Sequence, residues 1–467
     1  MKTRYLSLFL FIFSGCISTN LQPQSNINKP TATIIEEEKI QFVNFVFSDL
    51  LGNLKEITIP AKYALAKLEE GLFFDGSSVP GCTEIFQSDM FLKPDLDTFS
   101  IIPWTNNEEK TALVLCEVYR DEMTPYEADP RHILKKVTAE ARQMGFEFFV
   151  GPELEFFLFK SPDFCDNSTT PCDEKGYIDA EKDIYSQVNK FFMINMLKRH
   201  NINVEKLHHE VAPGQHEIVI KHGDALSIAD QVTLAKHAVK SLAKNSGLQA
   251  TFMPKPLYGK NGSGMHVHFS LFNTHEQKNT FYSENSSDYL SETAHYFIAG
   301  VLHRVREITA LLNPTVNSYK RLVPGYEAPI YICWGTKNRS ALIRIPQCNE
   351  NKPAAARAEI RSPDPSCNPY LAFAALLKAG LEGIKNKEQL SPIVEENLYK
   401  MTQQQIVNQG IESLPSSLDE AIVLLENSSF IKEFFGTRFL SEYLKTKKAE
   451  LRSFATAVTD WELHRYL

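Results

Sequence analysis

Five glutamates and a histidine, spread over four separated segments, constrain this chain more than any other feature: Glu153, Glu155, Glu210, Glu217, His266 and Glu359. In Gly151 to Phe157 the carboxylates alternate with Leu154 and Phe156, so a strand would present Glu153 and Glu155 on one face and turn the apolar residues to the core. In the segment from His208 to Glu217, Pro213 and Gly214 suit the centre of a tight turn, which predicts a hairpin with Glu210 directly opposite Glu217. Like charges facing each other across strands are destabilising unless neutralised. Oxygen-rich ligation with one imidazole suits a pair of Mg²⁺ or Mn²⁺ ions, and adjacent ions of that kind point to phosphoryl chemistry. A solvated strand face is the plain alternative for one alternating pair. It does not account for four such segments.

The remaining motifs bring groups that bind phosphate and carboxylate. Asn261 to Ser270 is a glycine-rich loop running into a strand where His266 and His268 share a face. Asn317 to Pro329 is a breaker-rich loop with Arg321 near one end and Glu327 near the other, followed by Arg339, Arg344, Arg357 and Arg361. Strand periodicity places Arg357, Glu359 and Arg361 together, so two guanidiniums are expected to flank one acidic ligand. Alternation with Ile343, Ile345, Ala358 and Ile360 predicts half-buried strands, where unpaired arginines would be costly.

With these segments in view, the chain resembles type I glutamine synthetases, in their shorter, non-adenylylated subgroup. The resemblance runs from about Ile40 to the C-terminus through Phe74 to Ser78, Ser88 to Met90, Gly151 to Phe157, His208 to Glu217, Thr251 to Pro256, Asn261 to His268, Asn317 to Pro329, Asn338 to Ser340, Ile343 to Pro346 and Arg361 to Leu371. It implies an α+β fold: residues 33–126 as a small β-grasp-like domain and 127–467 as a catalytic domain of antiparallel strands and helices. It also implies Glu155, Glu210 and Glu217 around a first metal and Glu153, His266 and Glu359 around a second. Asn261, the backbone of Gly262, Arg321, Glu327, Arg339 and Arg361 would meet glutamate. ATP would meet Glu205, His268, Ser270, Arg339, Arg344 and Arg357. Asp49, from a neighbouring subunit of a dodecamer of two stacked six-membered rings, and Glu327, on a mobile flap, would act with Arg339 in catalysis. The implied reaction joins ammonia to the γ-carboxylate of L-glutamate at the expense of ATP, through a γ-glutamyl phosphate. The alternatives are a related ligase for a larger amine, such as a polyamine or ethanolamine, and an inactive ring-forming homologue.

Composition agrees with a globular enzyme. The 467 residues, 43% hydrophobic, exceed what one core usually supports. A net charge of −8 argues against a nucleic-acid partner. Short alternating runs from Lys39 to about Tyr126 suit a small sheet; beyond Asp129, helical stretches such as His132 to Met144 and Asp224 to Ser246 intervene, which argues for α+β. No G-x-x-x-x-G-K-[ST] motif is present, so nucleotide must be held another way. Eight cysteines form no C-x-x-C pair and read as reduced, mainly structural thiols, with Cys165 and Cys172 the pair to watch around a short polar loop.

Residues 1–32 depart from the family. Lys2 and Arg4 precede a short apolar run, Tyr5 to Phe13, that ends in Ser14-Gly15-Cys16; the pattern resembles a bacterial lipoprotein signal and is too short to span a bilayer. Export would separate an ATP-dependent enzyme from its nucleotide. The expectation is therefore a cytoplasmic enzyme with an extraneous extension, and the alternative an exported or lipid-anchored one. Tyr399, in Asn397 to Met401, matches the tyrosine adenylylated in another subgroup and is read here as an ordinary loop residue.

Overall fold

The computed structural model describes residues 29–82, 88–106, 108–160, 169–180, 184–348 and 351–467. Residues 1–28, with the signal-like run and Cys16, and Cys165 lie outside the described residues.

Alternating β-branched and aromatic residues build a small sheet first. Strands β1 (Phe42–Ser48), β2 (Leu54–Pro60), β3 (Leu72–Asp75), β4 (Asp89–Ile101) and β5 (Thr111–Tyr119) assemble in the order β2-β1-β5-β4-β3, with β1 and β5 parallel and the other pairs antiparallel. Val43, Phe45, Val114 and Leu115 are buried at its centre.

The second sheet carries the acidic segments. Its strands are β6 (Phe146–Lys160), β7 (Val204–His209), β8 (Gln215–Ile220), β9 (Gly223–Asp224), β10 (Leu248–Thr251), β11 (Met265–Asn273), β12 (Lys278–Asn279), β13 (Trp334–Thr336), β14 (Ile343–Ile345) and β15 (Ala358–Ile360). The main path runs β13-β14-β15-β11-β6-β8-β7, with β9 and β10 on β6 and β12 on β11. As expected of a domain of antiparallel strands and helices, its paired strands are antiparallel, apart from β13 and β14, which run parallel. Ile343, Ile345, Ala358 and Ile360 are fully buried, and in β14 they alternate with the partly exposed Arg344, as expected of a half-buried strand, whereas β15 is buried throughout.

Four helices cover the reverse side of the core: α1 (Pro130–Gln143), α2 (Ala225–Asn245), α3 (Glu292–Leu312) and α4 (Pro369–Asn386). Asp129 caps α1 by accepting from His132 N, and Asp224 caps α2 by accepting from Ser227 N, satisfying backbone donors that the first helical turn leaves open. Helices α3 and α4 meet backbone to backbone: a Cβ on Gly300 would lie 2.3 Å from the Ala379 carbonyl, so only glycine permits this approach. Arg131 on α1 ties the small sheet to helix α2, pairing with Glu117 on β5 at 3.3 Å and with Asp230 on α2 at 2.9 Å. Among the described residues, no helix is long and apolar enough to cross a membrane. The described cysteines, Cys82, Cys116, Cys172, Cys333, Cys348 and Cys367, are free thiols.

Candidate active site

The long strand β6 is the spine of the site. On it Glu153 pairs with His266 of β11 on one side, while Glu155 stands directly opposite Glu217 of β8 on the other. The hairpin differs from the expectation. Pro213 and Gly214 do occupy the centre of a turn, closed by Gln215 N donating to the Ala212 carbonyl, with Gly214 at φ +69°. The loop spans four residues rather than two, so Glu217 faces His208, and Glu210 lies one step nearer the turn, where its N–H donates to the Gln215 carbonyl. The like charges that meet across strands are therefore Glu155 and Glu217, not Glu210 and Glu217.

A cavity of about 320 Å³ gathers all six predicted ligands, together with Asn261, His268, Arg321, Glu327, Arg339, Arg344, Arg357 and Arg361. A roomier cavity of about 590 Å³, beside the loop from Leu50 to Leu54, lacks such a carboxylate cluster, so volume alone does not locate the chemistry.

Two donor groups stand out within the site. Glu153, His266 and Glu359 bring ligand atoms within 4.8 Å of one another, as do His208, Glu210 and Glu217. His208, which sequence reasoning passed over, reaches Glu217 Oε1 at 3.0 Å. Its signal was available: two residues before Glu210, it has the same strand parity. Glu155 lies beside the second group and spends Oε2 on the Gly264 N–H (2.8 Å) and on Gln215 Nε2 (3.0 Å). Burial, then the charges of Glu217 and Glu210, holds its carboxyl well above the usual range. Burial and Glu217 push Glu210 up to about 7.

The first group is neutralised internally. Glu359, wholly buried, pairs with Arg344 at 2.5 Å and Arg361 at 2.6 Å. Burial would raise its carboxyl, yet Arg361, His268, His266 and Arg344 together hold it below the ordinary value. The expectation that Arg357 and Arg361 flank this residue is half right. Arg357 precedes β15 and donates from Nε to His268 Nδ1 at 3.2 Å, which leaves the imidazole proton on Nε2, facing Glu153 Oε1 at 3.1 Å. His266 Nδ1 meets the other Glu153 oxygen at 3.2 Å. Despite burial, these two imidazoles keep Glu153 ionised.

The expected glutamate contacts border the same space. Arg321 ends a one-turn helix, Ser318–Arg321, rather than lying in a loop, and its guanidinium donates to the carbonyls of Ser362 (2.6 Å) and Arg361 (3.1 Å). Asn261 Nδ2 donates to Glu327 Oε2 at 3.2 Å. Glu327 holds φ +61°, a conformation costly for a side-chain-bearing residue, and Lys255 lies 3.7 Å over the ring of its neighbour Tyr326. Four predicted residues do not line the cavity. The Gly262 carbonyl accepts from Gln215 Nε2, Glu205 is exposed on β7, and Ser270 lines a separate cavity further along β11. Asp49 is buried in the small domain, where Oδ1 accepts from the N–H groups of Leu51 and Asn53.

Comparison with known proteins agrees with this geometry. The family model described as "Glutamine synthetase, beta-Grasp domain" matches residues 39–121, and "Glutamine synthetase, catalytic domain" matches 127–466. The glutamine synthetase of Methanosarcina mazei is 46% identical over 433 residues, covering 93% of this chain and 96% of the relative. That of Clostridium saccharobutylicum is 44% identical over 434 residues, covering 93% and 97%. The solved structure of a GmaS/ADP complex aligns with a TM-score of 0.82 at 30% identity, over 94% of this chain and 99% of that one. Sheet topology, converging carboxylates and whole-chain similarity lead to one assignment: the chain belongs to the glutamine synthetase family.

Proposed function

We propose that this cavity ligates ammonia to the γ-carboxylate of L-glutamate through a γ-glutamyl phosphate, converting ATP to ADP and phosphate and releasing glutamine. The supporting observation is the convergence of Glu153, Glu155, Glu210, Glu217, His266 and Glu359 on one wall, with Arg339, Arg344 and Arg361 beside them. The donors fit two Mg²⁺ or Mn²⁺ ions: oxygen-rich, with one imidazole, and with Glu155 and Glu210 lacking the cation that their ionised forms need. Glu155, Glu210 and Glu217 would hold one ion and Glu153, His266 and Glu359 the other. When bound, such ions withdraw charge from phosphate oxygens.

The chain's own groups carry the rest of the reading. Arg339, Arg344 and Arg361 offer fixed donors to the phosphoryl group in transfer. Asn261, Arg321 and the Gly262 backbone orient glutamate. His268 and Arg357 face the nucleotide, with Glu205 and Ser270 further out; the similarity to an ADP-bound GmaS supports an adenine nucleotide here. Glu327, on the loop that contains Pro324 and Gly325, shields the acyl phosphate from water and, with Asp49, accepts a proton from ammonium.

Asp49 does not line the cavity of its own chain, which supports a pocket shared between subunits and, in this reading, a dodecamer. The domains are assigned as 33–126 and 127–467, and the cytoplasm as the place where ATP is available. A coupled assay for ADP, with glutamate and either ammonium or larger amines, tests the activity. Ammonium should give the highest kcat/KM. Preference for a polyamine or ethanolamine would favour the related ligase, and no turnover with any amine would favour an inactive homologue. Mixing Asp49→Ala with Glu359→Ala subunits should restore activity; no recovery in demonstrated mixed oligomers refutes the shared site.

A further inference from the structure

The face of the large sheet opposite the carboxylate cavity carries a second set of donors. Strand parity divides β8: Gln215 and Glu217 line the carboxylate cavity, while His216 lines a separate one of about 170 Å³ with Cys172 and Asp173. We propose that Cys172, Asp173 and His216 form a site for one divalent cation of the Zn²⁺ class, independent of the reaction proposed above.

The donor chemistry differs from that of the catalytic cavity. A thiol, a carboxylate and an imidazole suit borderline and thiophilic ions, whereas the cavity on the other face is built mainly of oxygens. The ligand atoms of the three residues lie within 4.8 Å of one another. Bond lengths of roughly 2.0–2.3 Å around a tetrahedral ion require ligands about 3.3–3.8 Å apart. Cys172 Sγ and Asp173 Oδ2 are already 3.6 Å apart.

The carboxylate is also supported as a ligand should be. Asp173 Oδ1 accepts from His209 Nε2 and from the Gly214 N–H, both at 2.9 Å, which leaves Oδ2 turned towards the thiol. Outer partners of this kind orient ligands and raise metal affinity. Phe156, Leu158, Met193, Leu207, Leu242 and Leu248 line the same cavity. Three protein donors leave a fourth position for water. An ion there would cross-link the 172–173 segment to the hairpin whose other face presents Glu210 and Glu217.

Reduced full-length protein, saturated with Mg²⁺ to occupy the oxygen-rich groups, is titrated with Co²⁺. One equivalent should produce a thiolate-to-cobalt charge-transfer band, displaced by Zn²⁺; the catalytic cavity has no sulfur ligand with which to produce it. Cys172→Ser should abolish the band, and His216→Asn should weaken Co²⁺ binding at least about tenfold. Zn²⁺ should also protect Cys172 from alkylation, mapped by mass spectrometry, in the unsubstituted protein, a readout that does not depend on any variant folding. Absence of the sulfur band, its persistence in Cys172→Ser, or alkylation of Cys172 unaffected by Zn²⁺ would overturn the proposal.

Discussion

The two halves of the carboxylate cavity handle the same problem in opposite ways. Around Glu153 and Glu359 the protein supplies its own partners: two imidazoles face the first carboxylate and two guanidiniums clamp the second. Around Glu155, Glu210 and Glu217 it supplies His208 and the charge of Arg321, which do not outweigh burial and mutual repulsion, and Glu155 and Glu210 titrate upward instead. One half is therefore ionised and ordered before any ligand arrives. The other stays protonated or strained until a cation replaces the proton, so metal binding and proton release are coupled there.

The sharpest way to break this contrast is to remove the centre of the neutralised half. Glu359→Ala leaves the buried Arg361 and the half-buried Arg344 without their shared partner and should cost about 3–5 kcal/mol of stability in metal-free protein, besides abolishing activity. Chemical denaturation in chelator measures it. An unchanged midpoint would mean that the internal cations do not depend on Glu359.

The frustrated half should show itself through pH. Glu210 has a native value of about 7, raised from 4.5, so between those values the folded state holds a proton that the unfolded state has lost. Stability of metal-free protein should thus fall as pH rises from about 4.5 to about 7, by roughly 3 kcal/mol from this residue. Glu155 shifts in the same direction. Glu210→Gln should remove that part of the slope, and saturating Mg²⁺ should flatten it in the unsubstituted protein. A flat metal-free profile would show that Glu210 ionises freely without a cation.

A smaller effect separates the halves by metal demand. Glu217→Ala relieves repulsion on Glu155 and Glu210 but deletes a proposed ligand. Metal-free stability should not drop, while the Mg²⁺ or Mn²⁺ concentration for half-maximal activity should rise about tenfold, equivalent to about 1.4 kcal/mol. An unchanged metal titration would remove Glu217 from the site.

The smallest effect is expected at Tyr399. Its hydroxyl is buried and has no hydrogen-bond partner, and its surroundings include Arg361, Glu327 and Arg321, so it is not an exposed loop tyrosine. Deleting an unpartnered buried hydroxyl is close to neutral, and Tyr399→Phe should change stability by less than about 0.5 kcal/mol and leave activity unchanged. A nucleotide-sized adduct at Tyr399 in protein from nitrogen-replete cells would overturn the assignment to the non-adenylylated subgroup.

Much of the site was legible because strand parity is a local property. Alternation in Gly151 to Phe157 was enough to place Glu153 and Glu155 on one face, and Pro213-Gly214 was enough to place a turn. The register of that hairpin was not legible: a Pro-Gly pair fits the centre of loops of different length, and a four-residue loop put Glu217 opposite His208. The partners of Glu359 were only half legible, since Arg344 arrives through the pairing of β14 with β15.

By itself the sequence determined the residue types of the candidate ligands, their grouping by strand face and the α+β class, because side-chain chemistry and a period of two are carried by the chain locally. Tertiary structure decided which carboxylates face each other, which arginines neutralise Glu359 and why Glu155 and Glu210 resist ionisation. Those outcomes depend on burial and on strands far apart in sequence coming within a few ångströms, and the energy of a charge is set by its neighbours in space rather than along the chain.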